Sequence, residues 1–283
     1  MNGFINIFKP SGMSSAYALT KIKRKYKGEK IGHMGTLDPM ASGVLPVGIG
    51  KCTRLFDYLL DKVKVYNANF TFGYETDTLD SEGKIINEGG KIPTLSEITK
   101  VLHLVTGEIM QKPPVYSAKN VSGKRSYELA RQGIEVELPP KKVVIESVVC
   151  NGKINDNTYN FTIVCKGGTY IRSICRDIAY LLKTYATMTK LCREKSGIFC
   201  IENSIKLEDI DSIDISKNII KPEDVLTFEE IRLTNAENVE LSFGRQVIVD
   251  KKDGLYKVFN STEFIGVGIV NAGNLKIKSY VKE

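Results

Sequence analysis

The chain has 283 residues, 42% of them hydrophobic and 26% charged, which suffices for one large domain or one domain with a small appendage. No apolar run reaches the ~20 residues of a membrane-spanning helix, and MNGFINIFKP lacks the basic leader and long apolar core of a signal peptide, so a cytoplasmic location is expected. The net charge is +7, and residues 1–54 account for it, with nine Lys/Arg against Glu29 and Asp38.

Two further basic clusters lie at 112–142 and 166–195, while 202–240 is acidic. That distribution suits a polyanionic partner as well as it suits ordinary solvated helix faces. The six cysteines show no CxxC spacing, and His33 and His103 are far apart, which argues against a structural zinc site and for reduced thiols.

Residues 3–8 read as a short strand entering the loop Lys9-Pro10-Ser11-Gly12. Ser14 or Ser15 then caps a helix with an apolar stripe of Ala16, Leu19, Ile22 and Tyr26. The Gly- and Pro-rich loop GHMGTLDPMASG follows, then an apolar segment at 44–50 and a helix near 52–60. Residues 63–73 alternate as a strand does. Thr94-Leu95-Ser96-Glu97 is a capping box for a helix carrying Ile98, Val101, Leu102 and Val105, with Gly107 closing it. Residues 112–140 form a long polar excursion with one helical turn around 127–132, and excursions of that length are usually functional or mobile. Strands at 142–150 and 158–165 flank a turn, and the second runs through Gly167-Gly168 into a helix ending near Lys183. Beyond 230, short strands at 246–250, 255–259, 264–270 and 275–281 suggest a small separate β-rich unit.

Three residues stand out as candidates for chemistry. Asp38 sits in a Gly/Pro loop inside the most basic part of the chain. Asp-Pro is common turn grammar, but a carboxylate fixed in an anion-binding surface also suits a nucleophile. Arg172 follows a Gly-Gly strand-to-helix turn and is suited to hold a carboxylate in a bidentate fork. Tyr66 lies on the alternating strand, where periodicity alone makes it a core aromatic. The acidic run 76–83 lacks the ligand spacing of a calcium loop, and no P-loop or GxGxxG is present.

Several separated motifs then give a family likeness. They are Lys9-Pro10-x-Gly12-x-Ser14-Ser15, Gly32-His33-x-Gly35-Thr36-Leu37-Asp38-Pro39-x-Ala41-x-Gly43, and Tyr66-x-Ala68 to Gly73 with Thr76-Asp77-Thr78-x-Asp80-x-x-Gly83. Pro113-x-Val115-Tyr116-Ser117-Ala118-Lys119 and Tyr127-x-x-Ala130-Arg131-x-Gly133 lie in the excursion. Gly168-Thr169-Tyr170-Ile171-Arg172 and Leu191-x-Arg193-x-x-x-Gly197-x-Phe199 come late. Over about residues 3–200 the chain resembles the TruB-type tRNA pseudouridine synthases, which isomerise uridine 55 in the T loop of tRNA. One departure is Asp177-Ile178-Ala179, where the family usually has Asp, Leu, Gly.

The resemblance implies an α+β fold: a catalytic domain over 1–229 with a central, mostly antiparallel mixed sheet flanked by helices, and a PUA-like RNA-binding domain over 230–283. It implies Asp38 as nucleophile, Tyr66 stacked on the flipped uracil and assisting loss of the C5 proton, and Arg172 paired with Asp38. His33 would help hold the opened loop, and Tyr170 and Leu191 would line the pocket. Lys9 and Lys64 would give support and phosphate contact, and Lys119 and Arg131 in the 112–142 excursion would help clamp the RNA. No cofactor or metal is implied, and the expected partner is the tRNA T stem-loop, bound by a monomer with no obligate protein partner. A non-catalytic RNA-binding protein and a base-removing glycosidase are the rival readings.

Overall fold

A computed structural model of the chain describes residues 1–281 except Asp61 and Ser122. Ser122 in the excursion and the last two residues of the expected appendage therefore lie outside the described residues. The chain begins with strand β1 (Gly3–Lys9), helix α1 (Ser15–Lys25), strands β2 (Ile31–His33) and β3 (Ser42–Ile49), and a 3-10 helix over Gly50–Tyr58. Strand β4 (Lys64–Phe72), the hairpin β5 (Tyr74–Thr76) and β6 (Ile85–Glu88), helix α2 (Leu95–Val101) and strand β7 (Gly107–Gln111) follow. The excursion holds β8 (Asn120–Val121), β9 (Lys124–Arg125) and helix α3 (Ser126–Arg131). Next come β10 (Lys141–Lys153), β11 (Thr158–Cys165), α4 (Ile171–Leu181), β12 (Ala186–Ser196), β13 (Phe199–Cys200), β14 (Ile205–Lys206) and a short α5 (Pro222–Val225). The remaining elements are β15 (Glu229–Arg232), α6 (Asn235–Ser242), β16 (Val247–Ile248), β17 (Gly254–Phe259), β18 (Phe264–Asn271) and β19 (Asn274–Tyr280).

The large sheet runs β14-β1-β3-β12-β4-β11-β10-β7, with β2 added to β3 and β13 to β12. All its pairings are antiparallel except β1 with β14 and β3 with β12, so the expected α+β class with a mixed, mostly antiparallel sheet holds. Alternation along β4 explains its central place. Tyr66, Ala68 and Phe70 face a core under α2 and α4, where Phe70 stacks on Phe161 at 4.4 Å between centroids. The opposite face of β4 is polar, and the Asn160 amide donates to Asn67 Oδ1 at 2.8 Å and to Asn69 Oδ1 at 2.9 Å.

The second sheet, β15-β17-β18-β19-β16, is parallel only at β15–β17. It does not stand apart. Phe259, Phe264, Val267 and Val281 share one apolar cluster with Phe4, Leu55, Leu59 and Phe199, and Tyr58 shares a 3.0 Å hydrogen bond with Ser279.

Several elements differ from the sequence expectation. The buried face of α1 is Ser15, Ala18, Leu19 and Ile22, while Ala16 is exposed, because Ser15 is drawn inward to serve a loop. The helix after Thr94 is α-helical only to Val101 and tightens to 3-10 over Leu102–Val105, and Gly107 opens β7. Strand β12 was not evident in its sequence, because bulges after Met188 and Arg193 break its alternation.

Candidate active site

The loop between β2 and β3 is held on several sides. Gly12 N donates to Pro39 O at 2.9 Å, and Ser11 Oγ to Met40 O at 2.7 Å. Ser15 Oγ donates to Leu37 O and accepts from Leu37 N, both at 2.9 Å. The Lys9-to-Ser15 motif is thus the seat of the loop. The turn itself closes by Ala41 N donating to Asp38 O at 3.0 Å, which leaves the Asp38 carboxylate free to look outward. Gly43, the second residue of β3, has φ +110°, and a Cβ there would lie 2.2 Å from the Arg193 carbonyl oxygen, so only glycine allows β3 to approach β12.

Arg172, in the first turn of α4, meets that carboxylate as a two-pronged fork. Its Nε lies 2.9 Å from Asp38 Oδ2, and its Nη2 donates to Asp38 Oδ1 at 2.9 Å. The guanidinium also donates to Thr78 O at 2.9 Å and to Tyr116 O at 3.0 Å. Asp80 completes its surroundings, 3.4 Å from Nη1 and only 3% exposed, itself held by Thr78 Oγ1 at 2.7 Å and Glu82 N at 3.1 Å. Desolvation pushes the Asp38 carboxyl above the ordinary carboxylate value, and the Arg172 guanidinium works against that rise. Asp80 was not singled out from sequence, though it lies in the acidic run rejected as a calcium loop. Its signal was a carboxylate at the mouth of a hairpin, where Thr78 satisfies it locally.

Tyr66 and Leu191 border the same spot. Both are buried, on adjacent strands, and pack in one cluster with Leu37, Met40 and Ala41 of the loop. Burial raises the Tyr66 hydroxyl above its usual value, and Arg193 beside it pulls the other way. Tyr170 caps α4, with its backbone N–H donating to Gln111 Oε1 at 2.9 Å and its carbonyl accepting from Gln111 Nε2 at 3.1 Å. Its hydroxyl is raised by burial and lies within electrostatic reach of Arg172 and Asp38. His33 ends β2 opposite Val47, and burial and Arg193 lower its pKa, which favours a neutral ring.

Residues 23–171 match the family model described as TruB family pseudouridylate synthase, N-terminal domain. The tRNA pseudouridine synthase B of Clostridium kluyveri is 41% identical over 95% of this chain and 96% of its own. The chain belongs to the TruB family of pseudouridylate synthases. The enzyme of the same name from Clostridium perfringens strain 13 is 40% identical over 100% of both chains. Among solved structures, a chain of a Cbf5–Nop10–Gar1 complex superposes with a TM-score of 0.74 at 25% identity, over 99% of this chain and 85% of that one. A chain of an H/ACA RNP bound to a substrate RNA containing 2'-deoxyuridine gives 0.73 at 23% identity, over 99% and 85%, which supports the fold. With the shared fold, the curled second sheet of this TruB-family chain is consistent with a PUA-like unit.

Lys9 and Lys64, expected to give support and phosphate contact, are placed for support in this TruB-family chain. Lys9 is 0% exposed, and its ammonium donates to the carbonyls of Met13, Pro10 and Pro39 at 2.7, 2.9 and 3.3 Å, so it clamps the loop from beneath. Lys64 is buried and donates to Leu60 O at 2.9 Å and Lys62 O at 3.3 Å. Both ammonium groups serve backbone carbonyls, a supporting place that counting a lysine as surface charge does not reveal. Lys119 is half-buried, with its backbone carbonyl receiving Ser126 N at 2.8 Å, and Arg131 is exposed over the Tyr127 ring at 5.7 Å. Arg193, among the largest fully buried side chains, carries no sequence signal beyond its place in the Leu191-x-Arg193 motif.

Proposed function

We propose that this protein converts uridine to pseudouridine in tRNA, at position 55 of the T loop, with Asp38 as nucleophile. The carrying observation is the bidentate Asp38–Arg172 pair beside Tyr66, in a chain of this family. The substrate assignment rests on relatives that bear the name tRNA pseudouridine synthase B.

In this reading the uridine leaves its stack, at a cost of a few kcal/mol. Tyr66 offers a face on which the extruded base stacks, worth about 1–3 kcal/mol. Leu191 and Tyr170 flank the base, and neutral His33 occupies the gap it leaves in the RNA. Asp38 attacks the sugar or the base ring, the glycosidic bond at nitrogen breaks, the base turns, and a bond to C5 forms at the same sugar carbon. The C5 proton is then lost, with Tyr66 assisting. Arg172 keeps the carboxylate ionised and aimed throughout. Isomerisation changes no oxidation state and adds no water, so the chemistry calls for no cofactor.

Backbone and hydroxyl contacts tie the excursion to the site. Tyr116 O receives Arg172, Ser173 Oγ donates to Lys112 O at 2.9 Å, and Tyr127 N donates to Ser117 O at 3.1 Å. RNA clamped by Lys119 and Arg131 would then be registered against Asp38, through phosphate contacts that position without reading sequence. The domain division near 229/230, a monomeric state and a cytoplasmic setting belong to the same proposal. Among the described residues no helix is long and apolar enough to cross a membrane.

The test is a map of modified uridines in tRNA incubated with and without the protein. Pseudouridine appearing at position 55 supports the reading. Free uracil with an abasic site would move it to a glycosidase, and bound but unaltered tRNA to a binding protein.

A further inference from the structure

Arg193 has no part in the chemistry described so far, yet it is 1% exposed in the middle of the site. Burying a guanidinium costs several kcal/mol unless its charge is answered. Two carbonyls fix its plane: Nε donates to Val44 O at 2.8 Å and Nη2 to Gly35 O at 3.1 Å. No ion pair among the described residues includes it; Asp38, which acts with it on Tyr66, is already paired with Arg172. The third nitrogen, Nη1, lies 3.3 Å from where a Cβ on Gly35 would stand, so the absence of a side chain there leaves it room.

The cross-strand register shows what that charge faces. Arg193 of β12 is paired directly with Tyr66 of β4, and the β12–β4 ladder bulges just after it, between Arg193 and Lys195. Such a bulge re-aims side chains beside a site. The groups acting on the Tyr66 hydroxyl are Arg193, Cys165 and Asp38. Burial pushes the Cys165 thiol up to about 11, so it stays neutral, and the Asp38 carboxylate is already gripped by Arg172. The cation free to answer a negative charge on the phenolic oxygen is Arg193.

We propose that Arg193 is a positioning residue that holds the Tyr66 oxygen, in its anionic form, as the acceptor of the uracil C5 proton. The proposal rests on the role given to Tyr66 above. The phenol first releases its own proton to solvent. The phenolate then takes the C5 proton after the new carbon–carbon bond has formed, and the C5–H electron pair restores the C5=C6 double bond. The guanidinium stabilises the phenolate, and its bonds to Val44 and Gly35 tie that oxygen to the same loop that carries Asp38.

The experiment compares native protein, Arg193→Lys, Arg193→Met and Tyr66→Phe on T-loop RNA in single turnover, with folding checked by urea unfolding. One RNA carries 5-tritiated uridine and the other 5-fluorouridine, which has no C5 proton to lose. Arg193→Met is expected to slow tritium release about 10²-fold, to move the rate–pH profile upward, and to slow attack on 5-fluorouridine far less than it slows tritium release. Arg193→Lys restores part of the release and carries the test if the methionine variant does not fold. Equal slowing on both RNAs, or no slowing on either, overturns the proposal. Tyr66→Phe separates the two levels: if it releases tritium at the native rate, the role of Tyr66 fails first. If it is inert while both Arg193 variants release normally, only the role of Arg193 fails.

Discussion

Asp38 and Arg172 are joined by two bonds of 2.9 Å, and the fork shape of arginine is what permits both. A lysine at 172 offers a point charge and reaches one carboxylate oxygen at a time. Arg172→Lys is therefore expected to lower turnover by about 10²-fold or more, while Arg172→Met leaves Asp80 buried without its cation and costs about 3–5 kcal/mol of stability by urea unfolding. Lys9 carries a different prediction. Desolvation lowers its pKa to about 8, below the ordinary lysine value of 10.5. Between those two values the unfolded chain holds a proton that the folded one has lost, so this residue makes stability rise with pH by about 1.4 kcal/mol per unit. Lys9→Met is expected to flatten that rise in urea titrations run from pH 8 to 10; parallel curves for the two proteins would contradict the assignment. At this scale the meeting of Asp38 and Arg172 was legible because a Gly/Pro loop and a Gly-Gly turn are local signals, whereas Tyr66 was marked only by the family resemblance, its strand periodicity making it a core aromatic. Asp80 and Arg193 were not legible, since burial and pairing are tertiary facts that a charged letter hides.

Among the elements, the β3–β12 junction is the least tolerant point. Gly43 combines φ +110° with the backbone of Arg193 where its Cβ would stand. Gly43→Ala is expected to cost about 3 kcal/mol or more, and to reduce activity further than stability, because the pairing it opens carries both the Asp38 loop and Arg193. Thermal unfolding beside a turnover assay checks the ratio. Strand β4 and the capping box at Thr94 were legible because their periodicity and capping chemistry are local. Strand β12 was not: two bulges scatter its charged residues across both faces, and its central place comes from pairing with β4 and β3, which are remote in sequence.

At the scale of the whole molecule, the sequence suggested a separate appendage, while the structure shows the second sheet sharing an apolar cluster with the 3-10 helix and β1. Removing 230–283 would bare Phe4, Leu55 and Phe199, so the truncated chain is expected to aggregate or unfold and not merely to bind RNA more weakly. Recovery of a monomeric, cooperatively unfolding 1–229 fragment would contradict that. Part of the basic charge is also taken up within the fold: Lys9, Lys25, Lys64, Arg172 and Arg193 all serve carbonyls or carboxylates. The salt dependence of RNA binding should therefore report only the exposed cations around α1 and the excursion. A slope of log Kd against log salt of several units is expected, since each phosphate contact contributes about 0.7–0.9. The measurement that bears most directly on the whole account is release of tritium from C5 of uridine in T-loop RNA by the native protein and by Asp38→Asn. The account predicts release by the native protein, a loss on the order of 10³-fold or more in the variant, and RNA affinity nearly unchanged. Release by Asp38→Asn at a rate close to native would contradict it.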